Sequence, residues 1–471
     1  MTLSSDLFLF AFLPVVFILF WLPGTSRQRS ALLAIAGFVF YASWNWRFCF
    51  LLLYTSLASF GAGLAMDRSA TEQGRRRWLW LAIGSDLALL GFFKYYNFFS
   101  GTVSSLVPGW SLPLLHIALP LGISYYTFTT ISYAFEVANQ RIPATTNLWE
   151  HLAYINFFPK VIAGPITRFH QVREDFEGLG APPRLDLMAR GVGFFVVGLI
   201  KKVMIADHIG HGIDPLLASP DTLSAGYAWI AAVGYATQLY FDFSGYSDMA
   251  VGLGCLFGIR LPQNFNRPYL SLSLTDMWRR WHITLNSWLF DYIYLPLTTG
   301  GPLRGWYRTT LMLVFLTSGV WHGAGWTFIC WGLFQGIGMV VQYQWSEFYR
   351  GLCRKDRSWV QVRNRRSYKA AAWLLTQSFF LVTLVLFRST NLGMARTWYG
   401  AMFAGSWQHM ALSGLGLGWL ALGLGWIARV PETWDLKLGS SRLWALGYAA
   451  MFVVLYFFMN GTETVFLYRQ F

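Results

Sequence analysis

Charge is scarce in this chain. Asp, Glu, Lys and Arg make up 12% of its 471 residues, against about a quarter in an ordinary soluble domain. With 55% of the residues hydrophobic, that shortage excludes a soluble globular protein and makes a lipid bilayer the expected solvent. Cysteine is scarcer still. The four residues Cys49, Cys255, Cys330 and Cys353 show neither CxxC nor Cys/His spacing, so neither a structural disulfide nor a bound metal is expected. No Walker A, GxGxxG, HExxH or GxSxG pattern occurs, which leaves nucleotide hydrolysis, zinc proteolysis and a serine nucleophile elbow unsupported. The absence of an internal repeat weakens an inverted-repeat transporter reading. Finally, the N-terminus lacks a basic region, and no small-residue cleavage site follows its apolar run. Residues 7–22 therefore read as a retained first helix rather than a signal peptide.

What the chain has in abundance fits a polytopic, all-α membrane protein. Apolar segments run from end to end, at roughly 5–22, 31–46, 48–66, 78–93, 112–135, 187–205, 225–241, 309–322, 325–343, 371–388, 412–430 and 443–460. Several fall short of the roughly 20 residues that cross a bilayer as a helix, so tilted or re-entrant pieces are expected. Residues 150–166 are apolar but interrupted by Pro159 and Pro165, and read as a bent or re-entrant element. Because the segments are continuous along the chain, one integral-membrane domain over 1–471 is expected, with a catalytic core at about 120–345. The net charge of +14 is assigned to cytoplasmic loops rich in Lys and Arg. The strongest of these runs from Glu347 to Lys369, with eight basic and two acidic residues. Placing it in the cytoplasm puts the N-terminus outside. No soluble basic module is present, so nucleic acid is not an expected partner.

Two histidines stand out against this background. His322 lies in an uncharged run from Leu311 to Trp331, flanked by Gly319, Gly323 and Gly325. An ionisable residue at membrane depth is costly and often marks a site, and a buried neutral imidazole can take a proton from a hydroxyl and return it to a leaving group. The alternative is a structural histidine bonded across helices. His282 lies in the longest polar and aromatic stretch, 260–308. There Trp278, Trp281, Leu285, Trp288 and Tyr292 form an apolar stripe at helical spacing, and Arg279, His282 and Asn286 form a polar one. By itself His282 reads as an interfacial histidine. Asp242 and Asp248 lie inside an apolar stretch. They are expected to pair with arginines of the 260–308 region or to cap a helix break at Gly245.

Asn264-Phe-Asn-Arg-Pro-Tyr269, Met277-Trp-Arg-Arg-Trp-His-Ile-Thr-Leu-Asn286 and Ser318-Gly-Val-Trp-His-Gly-Ala-Gly-Trp326 resemble the membrane-bound O-acyltransferase family. Asp242-Phe-Ser-Gly-Tyr-Ser-Asp248 and Phe158-Pro-Lys-Val-Ile-Ala-Gly-Pro165 resemble its bacterial branch for polysaccharide O-acetylation. The resemblance implies a ring of helices with re-entrant pieces around a thin, funnelled centre. It places the family's two signature positions on His282 and His322, the second as catalytic base. Substrate contacts are expected from Trp278, Arg279, Asn286, Asp242 and Trp321. The implied location is the bacterial inner membrane. No tightly bound cofactor is implied; the acetyl donor, arriving from the cytoplasm, is expected to be acetyl-CoA. A periplasmic acetyltransferase partner would complete transfer to an exported polymer such as alginate or cellulose. Two other readings stay open: aminoacyl transfer from a carrier protein, as in teichoic-acid D-alanylation, and a transporter or export scaffold without chemistry.

Overall fold

Helix is the only extended regular structure among the described residues of the computed structural model, which are 1–107, 109, 112–115, 118–218, 223–407 and 414–459. The reason is solvent. A chain this poor in polar side chains, placed in lipid, must satisfy its backbone N–H and C=O groups internally, and a helix does so within each segment. By length and composition, Ser26–Asp67, Arg366–Arg388 and Arg442–Met459 are apolar enough to cross a membrane. The expected segments recur as helices, with informative differences at their ends. The 325–343 segment continues as a helix over Trp326–Lys355, because hydropathy registers only the apolar part of a helix that runs on through polar and charged residues. The 112–135 segment, which includes residues outside the described set, becomes helical only at Ile123. The last residue of the 443–460 segment and the first two of the 412–430 segment also lie outside the described residues.

The chain divides into two compact units. The first comprises Met1–Ile200, Gly245–Gln263 and Lys437–Met459. Its Ser26–Asn45 helix is opened by a reciprocal cap in which Thr25 Oγ1 accepts from Gln28 N and Gln28 Oε1 accepts from Thr25 N. That arrangement satisfies two otherwise orphaned donors. The element around the two prolines is broken, as expected. The Leu148–Asn156 helix stops, turns fill 158–164, and the next helix starts at Phe169. Buried polar pairs tie helices of this unit together: Ser59 with His151 Nε2 (2.7 Å) and Thr130 with Asp86 (2.6 Å).

The second unit includes Lys201–Ser244 and Asn264–Leu436, and both signature histidines fall within it. Its Tyr307–His322 and Trp326–Lys355 helices form a hairpin packed backbone to backbone. A Cβ built on Gly319 would lie 3.0 Å from the Gly332 Cα, so any side chain there would push the helices apart. The Ala225–Leu256 helix is continuous through Gly245. The expected break does not occur. Asp242 is neutralised by a lysine, as described below, so its burial needs no disruption of the backbone.

Candidate active site

His322 is the last residue of the Tyr307–His322 helix and is 5% exposed. Aromatic rings surround it: Trp321 at 4.8 Å between centroids, Phe387 at 4.9 Å and Trp331 at 5.2 Å, each at a steep angle to the imidazole. His282 is 1% exposed, stands edge-on to Phe243 at 4.7 Å, and meets Trp321 at 6.0 Å. Trp321 therefore touches both imidazoles, and the two histidines share one aromatic cluster. Trp278 joins it through Trp331 at 5.8 Å and Phe315 at 5.3 Å.

The chain reaches His282 by a route that periodicity did not reveal. The expected continuous helix is two short ones, Leu274–Arg280 and Ile283–Leu289. Between them His282 adopts the left-handed conformation, with φ 43° and ψ 53°. The preceding loop clasps this break. Asn266 N donates to Arg280 O, and Ile283 N donates to Asn264 O, both at 2.9 Å. Asn264 Oδ1 also accepts from Thr284 Oγ1 (2.8 Å) and Thr284 N (3.3 Å), and lies 3.1 Å from His282 Nδ1. An amide oxygen can only accept, so in this contact the Nδ1 proton faces Asn264 and Nε2 is the basic nitrogen.

The break redistributes the other expected contacts. Arg279 lies in the last turn of the first short helix and is exposed, so it shares no polar face with His282. Asn286 donates its amide to Trp281 O (2.6 Å) and His282 O (3.3 Å), which holds the break. Asp242 pairs with Lys202 at 2.7 Å, and Lys202 also holds Asp207 at 2.6 Å. The expected partners, arginines of the 260–308 stretch, are replaced by a lysine from the π-helical turn Ile200–Ala206. Its neighbour Lys201 pairs with Glu432 at 2.8 Å. Glu432 also accepts from Tyr240 (2.9 Å) and from Arg267 N (3.0 Å), the latter just after the Asn264 loop. Asn264, Trp331, Phe387, Lys202 and Glu432 were not anticipated as site residues. Asn264 carried a signal, an amide side chain in a turn ahead of a histidine. Glu432 carried none, since its partner is 231 positions away.

Such a cluster offers a basic imidazole nitrogen in a low-dielectric, largely apolar cage, which suits proton transfer to and from a reacting hydroxyl. The sequence model of the membrane-bound O-acyltransferase family matches residues 48–385. The chain belongs to this family. It is accordingly an acyltransferase and a multi-pass membrane protein, and both histidines lie within the matched region. The probable alginate O-acetylase of Pseudomonas putida is 39% identical over 435 residues, covering 91% of this chain and 86% of the relative. The peptidoglycan O-acetyltransferase of Helicobacter pylori is 35% identical, covering 83% and 78%. The teichoic acid D-alanyltransferase of Streptococcus thermophilus is 30% identical over 50% of this chain and 60% of its own length.

Proposed function

We propose that this chain O-acetylates an exported polysaccharide, with alginate or cellulose as the polymer class, from the bacterial inner membrane. Acetyl-CoA supplies the acetyl group on the cytoplasmic side, and His322 is the general base. The acceptor is a hydroxyl of the polymer or of a periplasmic acetyltransferase partner that completes the transfer. His322 takes the hydroxyl proton as the oxygen bonds to the thioester carbonyl carbon. The tetrahedral intermediate then collapses with loss of the C–S bond, and the proton passes to the departing sulfur. Atoms and charge balance without a metal or a covalent enzyme intermediate. Holding donor and acceptor together in a closed, apolar cage lowers the entropic part of the barrier.

The observation that carries this reading is the cluster in which Trp321 contacts both His282 and His322 inside an apolar cage. Acetyl rather than D-alanyl transfer is supported by coverage, since the acetylase relative aligns along 91% of the chain and the D-alanyltransferase along 50%. The test is polymer acetyl content in cells carrying wild type, His322→Ala or His282→Ala at matched membrane expression. His322→Ala is expected to lower acetylation by about 10²–10⁴-fold, the range for losing a general base. Undiminished acetylation in that variant would remove His322 as the general base.

A further inference from the structure

Three tryptophans of the second unit donate the indole N–H to a backbone carbonyl. Trp229 donates to Met402 O (3.1 Å), Trp398 to Ala228 O (3.1 Å) and Trp373 to Tyr269 O (2.9 Å). Trp331 and Trp278 differ. They are 2% and 7% exposed, and neither Nε1 has an acceptor among the described residues. A buried donor without an acceptor is destabilising, yet here two lie in contact, ring to ring at 5.8 Å. One of them is also perpendicular to the His322 ring, at 5.2 Å and 89°. Their other neighbours, Phe315, Phe380 and Phe387, offer only ring faces and edges.

The structure assigns these two N–H groups an acceptor that exists only when substrate is bound: we propose that Trp331, supported by Trp278, donates hydrogen bonds to the thioester carbonyl oxygen as negative charge builds on it. This assignment rests on the acyl-transfer reading above. The bond is strongest in the tetrahedral state, when the oxygen is anionic, and weakens as the electron pair returns to the carbonyl and the C–S bond breaks. Nothing is transferred to the indole. A donor fixed beforehand in an apolar site stabilises that charge without reorganising at the moment of reaction. Both groups would thereby act on the reacting oxygen, while His322 acts on the acceptor hydroxyl.

The test replaces Trp331 with 3-benzothienylalanine, in which sulfur stands where the N–H was and the ring keeps its shape. Trp331→Phe serves as a second variant. CoA release from acetyl-CoA is followed in membrane vesicles that also carry the polymer-export machinery, with expression and detergent elution compared with wild type. The expected result is a fall in kcat of about 10²-fold, with KM for acetyl-CoA changed by less than about threefold, a split that marks an interaction made in the transition state. The same change at Trp278 should lower kcat in the same direction. Full kcat in the benzothienyl protein, or a rise in KM alone, overturns the assignment while leaving acyl transfer by His322 intact. If wild type and His322→Ala release CoA equally, His322 is not the base, and this assignment, which places the reacting oxygen beside it, falls with it.

Discussion

His282 occupies a backbone region that costs a β-carbon-bearing residue of order 1–3 kcal/mol. The loop from Asn264 to Asn266 holds it there through two backbone bonds and the imidazole contact to Asn264. Strain kept at such a position aims the imidazole at Phe243 and Trp321 instead of along a helix face. Asparagine tolerates the left-handed region, whereas a β-branched residue does not. His282→Asn is therefore expected to stay within about 1 kcal/mol of wild-type stability and His282→Val to lose more than that, with acetylation reduced in both. Thermal unfolding in detergent measures the order, and equal melting temperatures for the two variants would refute the strain argument. At this scale the identity of both histidines was legible, because an ionisable residue in an apolar run is visible in composition alone. The backbone reversal at His282 was not. Apolar spacing continues on both sides of it, so Trp278, Trp281 and Leu285 read as one stripe, and Arg279 was placed on the same face as His282.

Between elements, buried ion pairs do what hydropathy cannot announce. Lys201 and Glu432 are both about 2% exposed at the side chain, and Glu432 also receives the N–H of Arg267, three residues after Asn264. The loop that clasps His282 is thus tied to a carboxylate beyond residue 385, the end of the family match. Removing that carboxylate leaves a buried lysine uncompensated, so Glu432→Gln is expected to cost about 3–5 kcal/mol. Because a glutamine oxygen at the Oε2 position still accepts from Tyr240 and from Arg267 N, Lys201→Met combined with Glu432→Gln should recover most of the loss. Folded yield and melting temperature of the two single variants and the double variant give the coupling. Wild-type stability in Glu432→Gln would show that the pair contributes nothing net. The helices themselves were legible as apolar runs, and so was the interruption at Pro159 and Pro165. The continuity of Ala225–Leu256 through Gly245 was not, because Lys202, which neutralises Asp242, lies 40 positions earlier and no local pattern connects the two.

For the molecule as a whole, the distribution of charge sets an orientation in the membrane that the helices alone do not. The Glu347–Lys369 stretch carries eight basic residues and two acidic ones, and basic excess in short connections stays on the cytoplasmic side. It connects Trp326–Lys355, through the short Ser358–Asn364 helix, to Arg366–Arg388. Arg357 and Asp6 are both exposed, which makes them suitable reporters for this connection and for the N-terminus. In a background with Cys49, Cys255, Cys330 and Cys353 replaced by serine, Arg357→Cys is expected to react with a membrane-impermeant maleimide only in inside-out vesicles. Asp6→Cys should react only in intact spheroplasts. Acetyl donors are made in the cytoplasm and the proposed polymer is modified after export, so this orientation gives each substrate a side from which to approach His322. Labelling of Arg357→Cys from the outside would invert the donor side and remove the reason for expecting a cytoplasmic thioester. Labelling of both positions from one side would instead mean an odd number of crossings fewer, or more, than the charge pattern implies between residue 6 and residue 357.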